Sequence, residues 1–459
     1  MVANAGADQT VQVGQLVTLD GTASRDPQGL PLTYQWTIIR KPATSVNATL
    51  AGPTTAKPTF MPDEVGEYEL TMTASNGKDT RSDNVLVTAS AAQPMTINAD
   101  ITVQTILDDR IANPNLPDYI VTKSIAVKHE LTIRPGVVIA FERDVRFDIN
   151  ANGGILIAKG TADKKIRFVG VNPTKGYWAG IMVYSGSNAN VLEQVEVLQA
   201  GSRTLLDNKK AGITLFKESQ IVLKNSLIAQ NDGYGLFANE EAILREFTAN
   251  TFSANTEAGI LLVTDNVAKL DAASVFTNGN GRNVIEINGD YIGENGQSAE
   301  IIWGGFTDKT PYRLLNDVAV RSGWKLNPGV TVEAGRDISI HINESGYLTA
   351  KGTDTQKVRF TGAGTTAAYW KGILCLSASA KNTIENAEIL NAGSSSLAAG
   401  NRANLLLYGD SVLMSVRKTR IGGSGGYGIY VASGANLNDD ATNSNTFDGN
   451  AQANVEHEN

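Results

Sequence analysis

Cysteine is almost absent: the 459 residues hold one, Cys375, inside the apolar run GILCLS. A single thiol excludes an intrachain disulfide, and its place in a strand-like segment marks it as a buried small hydrophobe. The three histidines, His129, His341 and His457, stand in contexts that do not suggest catalysis. No apolar run is long enough to span a membrane as a helix. No basic cluster stands out to neutralise phosphates, which with a net charge of −8 argues against nucleic acid as a partner. The N-terminus, MVANAGADQT, lacks the basic and apolar regions of a signal peptide.

What the chain does have is repetition. LTIRPGVVIAFERDVRF…AKGTADKKIRFVG…YWAGI…LEQVEVLQAG returns as WKLNPGVTVEAGRDISI…AKGTDTQKVRFTG…YWKGI…IENAEILNAG, so that Pro135 matches Pro328 and Trp178 matches Trp370. A shorter period lies inside the long one. Apolar strands follow glycine or asparagine at Ile181, Ile213, Leu236, Ile260 and Val284, and again at Ile373, Leu405, Ile429 and Val455. The steps run close to 24 residues, except that Ile181 to Ile213 and Ile373 to Leu405 are both 32. Short, alternating, β-rich segments bounded by Gly, Asn and Asp predict strands. Strands every eight to twelve residues, in coils of about 24, predict a parallel β-solenoid, with Asn225, Asn231, Asn250 and Asn255 near its corners.

These residues resemble the right-handed parallel β-helix repeat proteins. The PGVVIAF…AKGT…I-x-F…W-x-GI string resembles a subgroup common in large secreted bacterial surface proteins, over roughly residues 95 to 459. The resemblance is specific for fold and weak for activity, since one solenoid serves lyases, glycosidases, adhesins and inert stalks.

Residues 3 to 90 read as a separate small β-sandwich, from alternating segments such as VQVGQLVTLDG, LPLTYQWTII and GEYELTMTAS. The strings ANAGADQTVQVGQLVTLDGTASRDPQGLPLTYQW and PTFMPDEVGEYELTMTASNG closely resemble the PKD domain, an immunoglobulin-like sandwich. That resemblance implies Trp36 between the two sheets and Gly66 and Tyr68 at the turn into a late strand. Some PKD domains bind calcium through Asp-x-Asp-Gly. Here the stretch is Asp26-Pro27-Gln28-Gly29, with an uncharged glutamine, and Asp26 with Ser24 is expected to close a turn. The expected fold is therefore all-β: a PKD sandwich over 1–90, a linker and N-terminal cap over 91–118, and a β-helix in two tandem copies, 119–300 and 301–459. Trp303 is expected to cover a change of cross-section between the copies, and the chain is expected to be an excised fragment whose last coil, NVEHEN, ends artificially.

Candidate chemistry is sparse, and no catalytic residue is assigned. Arg143-Asp144 recurs as Arg336-Asp337 and Lys159 as Lys351, which suits salt bridges between coils better than a catalytic centre needed once. Glu193 and Glu196 recur as Glu385 and Glu388. The adjacent acids Asp108-Asp109 and Asp439-Asp440 would serve a glycosidase only at a bend, because neighbouring strand residues face opposite sides. The Gly-His-Gly and Arg-x-Lys of polygalacturonase-like enzymes and the Arg-x-Pro-x-x-Arg of pectate lyases are missing. The leading expectation is a secreted or cell-surface scaffold binding a polysaccharide or another surface protein without catalysis, with no cofactor and no metal. The alternative is a polysaccharide lyase or glycoside hydrolase acting on an acidic polysaccharide. Candidate ligand-binding residues are Trp178 and Trp370, as aromatic platforms, and Arg203, Lys209 and Lys210 in the insertion SRTLLDNKK, whose bases favour an acidic glycan. This insertion and its counterpart SSSLAAGNR (Ser394 to Arg402) account for the two long steps, are read as surface loops, and are expected to emerge from one edge of the solenoid.

Overall fold

The computed structural model describes residues 1–91, 93–111, 113–294 and 299–458. Two compact units separate, Met1–Thr96 with Asp108–Ile120, and Ile97–Leu107 with the chain from Val121 onward. Residues 91 to 118 are thus divided between the units, and both repeated stretches lie in the second.

The first unit pairs Gln9–Gln12, Thr80–Ser90, Gly66–Ser75 and Thr33–Arg40 into a four-stranded sheet, opposite a two-stranded sheet of Val17–Thr18 and Thr59–Phe60. Alternation sets its inner face: Tyr68, Leu70, Met72 and Ala74 are buried on one side of Gly66–Ser75 while the residues between them are not. Trp36 fills the core and donates its indole N–H to the Thr55 carbonyl at 3.1 Å. The Tyr68 hydroxyl accepts from the Glu64 N–H at 2.9 Å and reaches Asp63 Oδ1 at 3.1 Å. Asp63 also accepts from Ser45 Oγ and from the N–H groups of Val46 and Asn47. Asp26 accepts from the N–H groups of Gln28 and Leu30, closing its turn, whereas Ser24, expected to share in this, bonds instead to the backbone of Asn4.

The second unit is a three-sided parallel solenoid. Gly180–Val183 belongs to a thirteen-stranded sheet, Val191–Glu193 to a six-stranded sheet and Val195–Leu198 to an eight-stranded sheet, and Ala211–Leu215 returns to the first. Among the described residues the coil-to-coil pairings are parallel, and in register where the sequence period is regular, Ile181 opposite Ile213, Ile213 opposite Leu236 and Leu236 opposite Ile260. Inside, like stacks on like: the rings of Phe252 and Phe276, on neighbouring coils, lie 5.3 Å apart and within 11° of parallel. The corners are closed by asparagine. Asn231 accepts from the Ala200 N–H at 2.9 Å and donates to Asn255 Oδ1 at 2.9 Å, and Asn255 donates to Asn280 Oδ1 at 2.9 Å. Buried corner groups that a coil bend removes from the strand ladder find partners in these amides, which offer a donor and an acceptor together. Gly201 is fixed by space at such a corner: a Cβ there would lie 1.9 Å from the Asp232 carbonyl oxygen.

The repeated residues make repeated contacts. Trp178 donates to the Leu198 carbonyl at 2.7 Å and Trp370 to that of Leu390 at 2.8 Å. Asn190 accepts from the Leu156 N–H and Asn382 from that of Leu348, both at 3.0 Å. Their faces differ, however. Gly372–Cys375 lies in a seven-stranded sheet, Thr383–Glu385 in a second six-stranded sheet, and Ala387–Leu390, counterpart of Val195–Leu198, in the thirteen-stranded sheet. From Gly180–Val183 to Gly372–Cys375 the described residues advance by twenty-one strands and the helix Thr264–Val267. At three elements per coil this is seven coils with one element over, so the second stretch is turned by one face. Trp303, Trp324 and Tyr312 pack in the interior where the faces change, with ring centroids 4.9 and 5.0 Å apart from Trp303. The expectation of a common edge for the insertions fails for this reason. Ser202–Lys210 enters the thirteen-stranded sheet, whereas Ser394–Arg402 leaves it for the seven-stranded one, on its opposite border.

Two outcomes follow for stability. Replacing Asn255 by Ala strands amide partners on both neighbouring coils and is expected to cost about 2–3 kcal/mol, read from urea unfolding, with Asn255→Gln recovering little because the corner has no room for a longer chain. Burial pushes the Asp63 carboxyl up, but its hydrogen bonds from Ser45, Asn47 and Tyr68 outweigh this and hold it well below the usual carboxylate range. A depressed carboxyl contributes stability above its unfolded pKa and loses it as pH falls through the folded one. The melting temperature of the sandwich is thus expected to fall on acidification below about pH 4, and Asp63→Asn to flatten that slope while lowering the neutral-pH value. An unchanged acid slope in the variant would refute the assignment.

Candidate functional site

Most strands of a solenoid bury alternate residues, yet Ala211–Leu215, Tyr234–Ala238 and Ala258–Leu262 are buried throughout. Ile213, Leu236 and Ile260 point inward, so Phe237 and Leu261 lie on the outer face. There they join Ala211, Tyr234, Ala258 and Val284 in a second apolar cluster, against which Leu206 of the insertion packs. The insertion is not a loose loop. Leu205 N–H donates to Lys209 O at 3.0 Å, Lys209 N–H returns to Leu206 O at 2.7 Å, and Asp207 and Asn208 hold φ of 48° and 56°. This is a tight turn with two left-handed residues, the geometry that Asp and Asn tolerate. The counterpart repeats it: Ala398 O and Asn401 N–H are 2.8 Å apart around Ala399 and Gly400, and Leu397 and Ala398 cover Leu374, Leu406 and Tyr430.

A cleft of about 610 Å³ opens beside the first turn. Lys210 Nζ lies 2.7 Å from Asp232 Oδ2, and Asp232 Oδ1 accepts from Thr256 Oγ1 at 2.9 Å. Glu286, almost fully buried, accepts from the Tyr234 hydroxyl at 2.7 Å and from Arg282 Nε at 2.6 Å, while Arg282 also pairs with Glu257. The strand Arg282–Ile287 and the coil period explain the gathering, because Glu286 continues the outer column of Phe237 and Leu261. Burial, then the Glu286 carboxylate, push the Tyr234 phenol well above its ordinary range. Burial lowers the Arg282 guanidinium, but Glu286 and Glu257 outweigh it and hold the group charged. Partial burial raises the Asp232 carboxyl, and Lys210 and Thr256 more than reverse that. Three acids and three bases (Lys209, Lys210 and Arg282) line the cleft, so its charge balances, and both oxygens of Glu286 are already committed.

Of the residues singled out from sequence, Lys209 and Lys210 line this cleft. Arg203 does not, and reaches Ser124 Oγ at 3.4 Å instead. Trp178 and Trp370 are fully buried and bonded to carbonyls, so neither offers a ring face to a sugar, which corrects the expectation of aromatic platforms. Arg143 and Arg336 stack over the rings of Tyr177 and Tyr369 at 4.9 and 4.6 Å, cation–π contacts in place of the expected ion pairs. Glu196 and Glu388 supply the coil-to-coil pairs, with Arg167 and Arg359. Cys375 is buried, and desolvation pushes its thiol up to about 11. Among the described residues, no group of three or more His, Cys, Asp or Glu is arranged to hold a metal ion. Sequence reasoning missed Asp232, Tyr234, Thr256, Glu257, Arg282 and Glu286. Their one signal was that Glu286 stands at an outer strand position and that Asp232 and Lys210 become Ser424 and Arg402 in the repeat.

Family models agree with the fold of both units. Residues 5–89 match the model of a PKD domain family, and residues 133–275 match that of the right handed beta helix region. No curated protein matches the chain. Among solved structures, a nucleoside hydrolase-related hypothetical protein from Saccharophagus degradans, associated with carbohydrate metabolism, is 18% identical over 19% of this chain, with a TM-score of 0.17. This chain covers 25% of that protein's length. The PKD domain from KIAA 1837 protein is 26% identical over 20% of this chain and 89% of its own, with a TM-score of 0.17. Sheet topology and family models together make this chain a PKD domain followed by a right-handed parallel β-helix.

Proposed function

We propose that this chain is an extracellular or cell-surface scaffold whose β-helix binds a glycan or a partner protein without transforming it, at the cleft beside the Ser202–Lys210 insertion. PKD domains and β-helices are typical of surface proteins, and that is the setting in which this reading places the chain. The observation that carries it is the commitment of the acidic groups. A glycosidase needs one carboxyl to hold a proton and another to attack or to activate water, and a lyase needs a base open to the substrate. Here Glu286 is clamped by Arg282 and Tyr234, and Asp232 by Lys210 and Thr256. A rigid, charge-balanced surface of hydroxyl, amide and paired ions suits the hydroxyl groups of a sugar or the polar rim of a protein better than it suits proton transfer. The lysines of the first insertion favour an acidic glycan on sequence grounds alone. The pairing of Lys210 with Asp232 shifts that preference toward neutral, hydroxyl-rich ligands.

A glycan array probed with the whole chain is expected to return neutral or weakly charged ligands. Lys209→Ala with Thr256→Ala is expected to weaken them about tenfold with an unchanged circular dichroism spectrum. Incubation with neutral and acidic polysaccharides is expected to release neither reducing ends nor ultraviolet-absorbing unsaturated sugars. Turnover abolished by Glu286→Gln would overturn the non-catalytic reading.

A further inference from the structure

A second, larger cleft of about 850 Å³ opens where the strands change faces, between the turn at Gly305–Lys309 and the turns of the next two coils. Its polar lining includes Thr307, Lys309, Asn327, Thr331, Gln356 and Lys357. The walls are fixed from beneath. Phe306 is buried against Phe276 and Tyr312, at 5.2 and 5.4 Å between ring centroids. Asp308 accepts from the Phe276 N–H at 2.7 Å and from Thr310 Oγ1 at 2.6 Å, and Thr307 is bonded to the Ala272 carbonyl through both its N–H and its hydroxyl at 3.0 Å. On the other side the Gly329 N–H donates to Gln356 O at 3.1 Å. Thr307, Lys309, Gln356 and Lys357 are exposed and Asn327 and Thr331 half-buried, but the backbone that carries them is held on both sides.

Charge distinguishes this cleft from the first. Repetition supplies an internal control, because Lys165 and Arg167 are the counterparts of Lys357 and Arg359, and Glu196 of Glu388. In the first stretch Glu196 takes both bases, Lys165 at 3.4 Å and Arg167 at 3.1 Å. In the second, Glu388 takes Arg359 alone at 2.6 Å. Neither Lys357 nor Lys309 has a carboxylate partner among the described residues, and Asp354 is the single acid in the lining. Two uncompensated ammonium groups therefore face one cleft with the amides of Asn327 and Gln356 and the hydroxyls of Thr331 and Thr355 beside them. Ammonium groups supply charge, while amides and hydroxyls supply the hydrogen bonds that a sugar ring needs.

We infer that this cleft binds an anionic saccharide, its carboxylate or sulfate groups held by Lys309 and Lys357 and its hydroxyls by Asn327, Gln356 and Thr331. The inference is independent of the neutral-ligand cleft at the first insertion. Charge attraction at an exposed rim weakens with salt, so the affinity falls as ionic strength rises.

Fluorescence anisotropy of the whole chain with three labelled probes tests it: a heparin oligosaccharide, an oligogalacturonate of the same length and a neutral malto-oligosaccharide. The expected result is salt-sensitive binding of at least one anionic probe. Lys309→Ala with Lys357→Ala should weaken it about tenfold, and Lys309→Arg with Lys357→Arg should retain it. The pair Lys209→Ala with Thr256→Ala, at the other cleft, should leave it unchanged, which separates failure of this inference from failure of the proposed function. Preference for heparin assigns sulfate as the group held, and equal binding of oligogalacturonate assigns carboxylate. The inference is overturned if neither anionic probe binds, if the double alanine variant binds as well as the parent chain, or if the neutral probe binds equally and loses as much.

Discussion

Parallel pairing of each coil with the next is the constraint on which the rest of the solenoid depends. A coil cannot satisfy its own backbone, since its three strands lie on three different faces, and every strand N–H must find its acceptor one coil away. Register is therefore held from coil to coil along the inward column Ile181 to Ile213 to Leu236 to Ile260. The same constraint explains the corners. Where the chain bends, ladder bonds are lost, and Asn231, Asn255 and Asn280 replace them with amide bonds that again run from coil to coil. Insertions are tolerated only between strands, which is where both of the long steps fall.

Because pairing acts between neighbours alone, it preserves a face without caring which part of the sequence occupies it. The thirteen-stranded sheet shows this. It begins with strands of the Gly-Ile type, such as Gly180–Val183, and ends with strands of the Val195–Leu198 type, such as Ala387–Leu390. The change costs an irregular region with the helix Thr264–Val267, register shifts at Thr251–Ser253 and Ala258–Ile260, and the aromatic packing of Trp303, Trp324 and Tyr312. Both clefts owe something to this turn. Glu286 and Arg282 come from the strand just before the change, and the Gly305–Lys309 turn from the coil just after it.

Charge is used in two ways on this surface. Many ionic groups pair with neighbours one coil away, as in Arg313 with Glu333 and Arg420 with Asp448, where partial exposure keeps each contribution small. In the first cleft the same habit produces a closed network, buried enough at Glu286 to hold its shape. Lys309 and Lys357 take no carboxylate partner among the described residues: Glu388 stands in register with Arg359 as Glu196 does with Arg167, but it pairs with Arg359 alone.

The sequence by itself determined the fold. The alternation of short apolar segments, the period near 24 residues and the corner asparagines each follow from local steric and hydrogen-bonding rules, and the PKD sandwich was legible in its alternation and in Trp36 and Tyr68. The burial of Cys375 and the position of the insertions between strands were legible for the same reason, but not the edge from which each insertion emerges. Tertiary structure alone decided the phase between the repeated stretches, because it depends on whether segments as short as Tyr291–Ile292, or a single helical turn, count as a step, and only pairing with the neighbouring coil settles that. It also decided the clefts. Lys210 with Asp232 and Tyr234 with Glu286 are 22 and 52 residues apart, distances that become contacts only after the coils are stacked. Trp178 and Trp370 make the same point in reverse: an aromatic before a corner glycine reads alike whether its ring turns outward to a ligand or inward to a carbonyl, and the inward choice is set by neighbours that lie on other strands.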